Sequence, residues 1–528
     1  MLERVKSLFR NLVIYGLGDV ATSVVSLLLL PIFTSYLTKS DYGVITMLLT
    51  IEAVTKIVFR WGVDTAFMRL YFDCADEAAR QRLASTIFFF LLAVNGALVI
   101  VTLLAAERVG SLLIGPTPPG SAPHGLLVGL TIANTFVAGF YFIPYHVLRI
   151  GERSTQFIAL TFTRSAGTIL ARLALVIWAH LGVLGIVVAD TLVTVLFTAV
   201  LSRWFVPLIR PVFSRSVLKD ALRFGLPRQP HSVAQQVISV SDRYFLKAYG
   251  TLSDVGLYSI GASFGLALKL FLSAFEFAWT PFFLAAMREK DARRIYGTVS
   301  TYIVAALVLL TAGLCALAPA VVSLFTTAAF HPAAQVTPWI ALGVMFQGLY
   351  LVGSIGLVIT KRTTRYPIST GIAAAASLAA NIVLIPRYGM LGAAWANVIA
   401  YATLAAVTSA FSWQVYPIPY EWSRLARIAA AGALSYLAAE WVVPVSVAPL
   451  PSLFLRAAVV VPTYLAALYV MRFFHPRELQ MLIDLRRRLL ARAPVPAAVT
   501  VATDVEMAGD IVDAGPELEV TDKDGDRR

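Results

Sequence analysis

Sorted into hydrophobic and polar positions, the chain falls into about fourteen apolar stretches of roughly twenty residues or more, joined by short polar loops. A helix needs roughly 20 apolar residues to cross about 30 Å of hydrocarbon. Only helices and closed barrels satisfy every backbone polar group there, and no strict apolar/polar alternation recurs to suggest a barrel. The pattern predicts helical spans near 12–36, 42–66, 83–105, 124–147, 155–179, 182–206, 221–247, 254–285, 298–325, 335–359, 366–386, 390–414, 425–443 and 453–474.

Basic residues between these spans collect in alternate loops. One side receives Arg4, Lys6 and Arg10, then Arg69, Arg80 and Arg82, Arg149 and Arg153, and Arg203, Arg210, Arg215 and Lys219. It continues with Arg288 to Arg294, Lys361 to Arg365, Arg424, Arg427 and the basic tail from Arg477 to Arg492. The opposite side holds only Lys39, Arg108, Lys247, Arg387 and Arg456. The excess of Lys and Arg marks the cytoplasmic side, so both termini are expected in the cytoplasm.

Composition agrees. Of 528 residues, 58% are hydrophobic and 14% charged, with a mean hydropathy of +0.76, against about a quarter charged in soluble domains. The net charge of +13 belongs to loops beside membrane spans, where orientation and anionic lipid account for it and nucleic acid is not required. Cys74 and Cys315 form no CxxC or Cys/His cluster, and the apolar run from Leu12 to Tyr36 is too long for a cleaved signal. Beyond about residue 491 the chain turns to APVPAA followed by scattered Asp and Glu, which predicts a largely disordered tail within 476–528.

Two halves echo each other. Tyr15-Gly16-Leu17 and Ser40-Asp41-Tyr42-Gly43 correspond to Phe224-Gly225-Leu226 and Ser253-Asp254-Val255-Gly256. Gly182-x-x-Gly185 with Ala189-Asp190 has the spacing of Gly389-x-x-Gly392 with Ala396-Asn397. Six spans return the chain to its starting side, so the copies are parallel, an arrangement in which substrate sits between two rocking halves. The expected architecture is an all-α polytopic membrane protein with two parallel six-helix lobes, 1–210 and 211–420, around a central cavity. Two extra helices follow over 421–475.

Several spans carry charge where lipid is expected. Each charge at the bilayer centre costs about 2.5–3.5 kcal/mol, and roughly ten of them facing lipid would cost on the order of 30 kcal/mol. They must face a bundle interior or water. Glu52, Lys56, Arg60 and Asp64 recur every four residues, drifting about 40° per step, and pair locally as Glu52–Lys56 and Arg60–Asp64. Asp19, Arg164, Arg172 and Asp190 complete the first half; Arg228, His231, Lys269 and Glu276 belong to the second, with Asp242-Arg243 placed near an outer interface. The prolines of Gly225-Leu226-Pro227-Arg228-Gln229-Pro230 break the hydrogen-bond ladder. The interior cations Lys56, Arg60, Arg164, Arg172, Arg228 and Lys269 are therefore candidate ligands for an anionic headgroup such as a diphosphate. Glu52, Asp64, Asp19 and Glu276 are candidate charge partners or carriers of a coupling H+ or Na+. No P-loop, GxSxG, HExxH or dinucleotide fingerprint stands in a supporting context, so neither catalytic residues, a metal site nor another cofactor is expected.

Several segments resemble the bacterial oligosaccharide/polysaccharide flippases of the multidrug/oligosaccharidyl-lipid/polysaccharide exporter superfamily. They include Leu30-Pro31-Ile32-Phe33-Thr34 into Ser40-Asp41-Tyr42-Gly43; Gly62-Val63-Asp64-Thr65-Ala66; Leu148-Arg149 with Glu152-Arg153; Asp242-Arg243-Tyr244-Phe245-Leu246; Ala278-Trp279-Thr280-Pro281; and Asn381 to Gly389. The resemblance implies two six-helix lobes around a central cavity, a place in the bacterial inner (cytoplasmic) membrane, and outward flipping of a polyprenyl-diphosphate-linked oligosaccharide for surface polysaccharide, exopolysaccharide or O-antigen biosynthesis. Implied partners are that lipid, the bilayer and a polysaccharide polymerase or export complex. A flippase of the lipid II peptidoglycan precursor and a cation-coupled multidrug exporter share the fold and remain alternatives.

Overall fold

The computed structural model describes residues 25–474 except 26, 152 and 445. Asp19, the basic cluster before it and the tail beyond 474 lie outside the described residues. Those described are helices joined by turns, with no strand among them. The N-terminal half comprises α1 (Leu30–Tyr36), α2 (Lys39–Arg60), α3 (Val63–Asp73), α4 (Glu77–Leu104), α5 (Ala106–Leu113), α6 (His124–Ala138), α7 (Phe142–Ile150), α8 (Ser154–Leu173) and α9 (Gly182–Phe205). A linker helix α10 (Arg215–Gly225) leads to α11 (Gln229–Tyr249), α12 (Leu252–Gly265), α13 (Leu268–Ala286), α14 (Ala292–Phe325), α15 (Thr337–Gly353), α16 (Ile355–Ile359) and α17 (Arg365–Val415). Two further helices, α18 (Trp422–Val442) and α19 (Pro449–Val470), pack on each other and on α14.

Among the described residues nine helices are long and apolar enough to cross a membrane, or ten with the bent pair α12–α13. The protein is a multi-pass membrane protein; the sequence-predicted total of fourteen is not reached by that measure. Part of the difference has a local cause. α17 registers as one helix, yet Gly389 has φ +53 and ψ −128 within it, and a Cβ on Gly392 would lie 2.6 Å from the Leu384 carbonyl carbon. Residues eight apart in a straight helix are about 12 Å apart along the axis, so the chain turns back at Gly389. α11 and α18 carry too many polar side chains to register as apolar, and the first expected span lies mostly outside the described residues.

Several predicted spans are broken, among them the second, seventh and eighth. The second stops at Trp61 (φ 50) and Gly62 (φ 70) and resumes as α3. The left-handed Trp61 is held by its indole N–H donating to Asn95 Oδ1 at 2.9 Å, while the Asn95 amide donates to the Phe59 carbonyl at 2.7 Å. The eighth bends by 45° between α12 and α13. The seventh breaks where the prolines predict: a 3-10 turn covers Leu226–Arg228, and α11 begins with Pro230 in its first turn.

The repeat seen in the sequence returns as geometry. α2 opens with Thr38 accepting from Asp41 N at 3.2 Å while Thr38 N donates to Asp41 at 2.9 Å. α12 opens with the same reciprocal box, Thr251 with Asp254, at the same two distances. Such caps satisfy backbone N–H groups that the first turn leaves without partners, each contributing about 1 kcal/mol. At the α8–α9 turn Gly182 has φ +53, matching Gly389, and a Cβ on Gly185 would lie 3.0 Å from the Leu175 carbonyl oxygen, as Gly392 faces Leu384.

The two capped helices pack against each other. A Cβ on Gly43 would overlap the Leu252 carbonyl, 2.7 Å from its carbon, and one on Gly256 would overlap the Lys39 carbonyl, 3.0 Å from its carbon. Thr46 Oγ1 donates to Ser259 Oγ at 2.7 Å, one turn further along both helices. Reciprocal contact between equivalent residues is the signature of a two-fold axis, here relating the halves. Around it Val44, Met47, Leu48 and Ile51 interlock with Val255, Tyr258 and Ala262, all buried. Tyr42 stacks edge-on against Phe330, and the Thr327 hydroxyl donates to the Thr34 carbonyl, extending the seam.

Candidate functional site

The residues singled out by charge fall into four places. On α2 both local pairs form: Lys56 Nζ lies 2.5 Å from Glu52 Oε1, and Arg60 Nη1 3.5 Å from Asp64 Oδ2 across the α2–α3 break. The Lys56 and Arg60 side chains remain about half exposed, at 48% and 55%. In a membrane-embedded helix such cations require water or a polar ligand, since lipid would not solvate them.

The Arg60–Asp64 break also marks where the N-terminal half meets the end of the linker helix α10. A Cβ on Gly62 would lie 2.5 Å from the Gly225 carbonyl oxygen and 2.9 Å from Gln229 Nε2, and one on Gly225 would lie 2.5 Å from the Gly62 carbonyl oxygen. Glycine is required on both sides for backbones to approach this closely. Arg228, exposed and stacked 4.8 Å over the Phe224 ring, follows directly. The fold thus gathers Arg60, Asp64 and Arg228 around one contact between the N-terminal half and the linker, although some 160 residues separate them in sequence.

Arg164 and Arg172, on α8, are occupied inside the N-terminal half. Arg172 makes a bidentate ion pair with Asp190, Nε to Oδ1 and Nη2 to Oδ2, each 2.7 Å. Arg164 sits over the Tyr141 ring at 5.1 Å and the Phe197 ring at 5.9 Å. The Tyr141 hydroxyl donates to the Thr194 carbonyl at 2.8 Å, so the aromatic platform is itself fixed. Glu52, Arg172 and Asp190 line a cavity of about 190 Å³ with apolar walls from Leu30, Phe33 and Tyr42. Asn134 also lines it, and its Oδ1 is buried with no hydrogen-bond partner. Buried amide oxygens rarely go unsatisfied, so this cavity is chemically suited to a water or a small cation.

In the C-terminal half Lys269 is half-buried one residue into α13, just past the 45° bend, and Glu276 lies two turns further along the same helix. The larger finding there is a polar seam that charge counting misplaced. Asp242, expected near an outer interface, is 4% exposed; it accepts from the Tyr258 hydroxyl and from Arg243 N at 2.8 Å. The Arg243 guanidinium donates to the Ser239 carbonyl at 2.9 Å. On the facing α17, Asn381 is fully buried; its amide donates to Ser241 Oγ at 3.0 Å while its Oδ1 has no partner. The sequence signal was present in Asn381 itself, an amide in an otherwise apolar stretch. Its meaning depends on Ser241 lying across the helix interface.

Arg456 needs a similar correction. Assigned to an exposed loop by charge sorting, it is 2% exposed within α19. Its Nη1 donates to Glu440 at 2.6 Å and to the Ala316 carbonyl at 2.9 Å, while Tyr464 donates to the Ala305 carbonyl at 2.8 Å. These bonds fix the last two helices to α14. Among the described residues no group of three or more His, Cys, Asp or Glu is placed to hold a metal.

Comparison with known proteins places this arrangement. The sequence model of a family described as "Polysaccharide biosynthesis protein" matches residues 32–335. A search of curated proteins finds no match. Among solved structures, the chain is similar to the lipid II flippase MurJ in an inward closed conformation, with TM-score 0.67 and 15% identity over 89% of this chain and 98% of that one. It is also similar to an inward-facing multidrug resistance MATE family transporter of the MOP superfamily, with TM-score 0.55 and 16% identity over 78% and 94% of the two chains. The two likenesses establish a shared fold. With more than half of its length matched by the family's sequence model, the chain belongs to the polysaccharide biosynthesis protein family and is a multi-pass membrane protein with the fold of the MOP-superfamily transporters.

Proposed function

We infer that the protein is a flippase that carries a polyprenyl-diphosphate-linked oligosaccharide from the cytoplasmic to the outer leaflet of the bacterial inner membrane, for surface polysaccharide synthesis. One observation carries the reading. Two symmetry-related halves meet through paired glycine–backbone contacts at Gly43/Gly256, and the exposed cations Lys56, Arg60 and Arg228 lie away from that seam. Opening the seam while closing the cationic side is the motion alternating access requires.

The physical chemistry of the substrate supports it. Withdrawing a long polyprenyl tail from lipid would cost about 0.8 kcal/mol per CH₂, so the tail stays in the bilayer and only the sugar diphosphate crosses. Arg228, Lys269, Lys56 and Arg60 are the proposed ligands of the diphosphate, because guanidinium and ammonium groups match its oxygens in charge and geometry. Arg164 and Arg172 already have partners and act by holding α8 to its neighbours. An H+ or Na+ gradient is the proposed energy source. Besides Glu52, the buried Asp242 is a suitable carrier, and Asp19 lies outside the described residues.

The test is a strain lacking the protein, examined for lipid-linked oligosaccharide on the inner leaflet. Accumulation reversed by the wild type, but at least tenfold less by a chain with Arg228→Ala and Lys269→Ala, is expected. Normal surface glycan in the deletion strain overturns the reading. Rescue of a strain depleted of lipid II flippase would assign the peptidoglycan precursor instead.

A further inference from the structure

The linker between the halves does not cross the membrane. At about 1.5 Å per residue, the eleven residues of α10 span roughly 16 Å, half the hydrocarbon thickness. The apolar helix Gly182–Leu208 ends just before the linker, and α11 begins just after it. α10 packs against α3 and α4 beside the turn that joins them, which sets it at one membrane face.

Its inner side is firmly seated. Val217, Ala221 and Phe224 pack into the cluster formed by Phe67, Tyr71, Leu83 and Ile87. The segment leading into it is pinned to α4: Arg210 N donates to Ser85 Oγ at 2.7 Å and Ser214 N to Thr86 Oγ1 at 3.1 Å. Its far end is the Gly225 that meets Gly62.

The outer side carries two parallel stripes. Arg215, Lys219 and Arg223 are exposed and spaced four apart, so their directions spread over only about 80°. Leu218, Leu222 and Leu226 run alongside about 60° away, Leu218 and Leu222 only partly exposed and Leu222 packed also against the inner cluster, and both stripes line one open groove. None of the three cations has an ion-pair partner among the described residues, and Asp220, the helix's one carboxylate, pairs with none of them. Next to the helix Val212, Phe213 and Leu226 are exposed at 44%, 49% and 42%. A surface helix with a cationic stripe beside an apolar one matches a lipid headgroup above its own acyl chains.

We propose that α10 is a binding site for anionic phospholipid of the membrane face on which it lies, its phosphate held by Arg215, Lys219 and Arg223 and its acyl chains against Leu218, Leu222 and Leu226. The site adjoins Arg228 but uses none of the proposed substrate ligands, so it does not depend on what the protein transports. Because α10 joins the halves and ends at the Gly62–Gly225 contact, bound lipid holds that contact on the N-terminal half.

The experiment uses the full chain, purified in detergent and loaded with phosphatidylglycerol or phosphatidylcholine, with bound lipid counted by native mass spectrometry. Wild type is expected to retain phosphatidylglycerol over phosphatidylcholine, and R215Q/K219Q/R223Q to bind it about tenfold more weakly. The single variants K219Q and R223Q, each with a partial loss, carry the test should the triple variant not fold. R288Q/K290Q, in a different basic loop, should retain wild-type binding. Equal retention by wild type and the α10 variants overturns the proposal, as does equal binding of the two lipids. Displacement of phosphatidylglycerol by millimolar inorganic phosphate or diphosphate would instead assign a soluble anion to the groove.

Discussion

Substituting Gly43 by Ala should disengage the seam between the two halves without harming either half. The new Cβ would sit 2.7 Å from the Leu252 carbonyl carbon and 3.0 Å from its Cα, closer still to the carbonyl oxygen. All three are backbone atoms, so no rotamer change relieves the overlap, and α2 must retreat from α12 by an ångström or more. Overpacking of this kind costs about 1–3 kcal/mol. Within α2 itself Ala is the better helix former by about 1 kcal/mol, a gain present whether the seam is open or shut. The difference falls on the closed arrangement alone and shifts its population about 5- to 150-fold.

A disulfide reports that population. Thr46 and Ser259 hydroxyls lie 2.7 Å apart, so Thr46→Cys with Ser259→Cys, in a chain with Cys74→Ser and Cys315→Ser, should cross-link rapidly under a membrane-permeant oxidant. Adding Gly43→Ala should slow cross-linking by the factor above, and Gly256→Ala should do the same. The two together should slow it by less than the product, because one separation relieves both overlaps. An unchanged cross-linking rate with Gly43→Ala would refute the argument, as would strict multiplicativity of the pair.

Other consequences follow from the same contacts. Arg456→Ala should destabilise the protein by about 1–3 kcal/mol, by leaving the buried Ala316 carbonyl without its donor; thermal unfolding in detergent measures it, and an unchanged melting temperature refutes it. Arg172→Ala, Asp190→Asn and the pair together should show a coupling of about 1 kcal/mol in a double-mutant cycle, the bidentate geometry placing it at the upper end for half-exposed pairs. Asp242→Asn should abolish the dependence of export on the H+ or Na+ gradient while leaving the fold intact, read by glycan export at varied pH and sodium; an unaltered dependence removes Asp242 from coupling.

What the sequence determined on its own was everything set by near neighbours. Hydrophobic runs fixed where helices form, because a backbone in lipid has no other way to satisfy its hydrogen bonds. Four-residue spacing placed Glu52 beside Lys56 and Arg60 beside Asp64, and Pro227 and Pro230 marked the break before α11, since helix geometry and the missing N–H act within a few residues. The glycine spacings of the repeat were visible as letters. Their purpose was not: only the folded chain shows Gly43 against Leu252 and Gly62 against Gly225, because backbone contact between distant segments has no local signature. For the same reason Asp242 and Arg456 looked like interface residues when counted from the ends of their spans. Burial of a charge is settled by partners such as Tyr258, Glu440 and the Ala316 carbonyl, which tertiary packing alone brings within hydrogen-bonding reach.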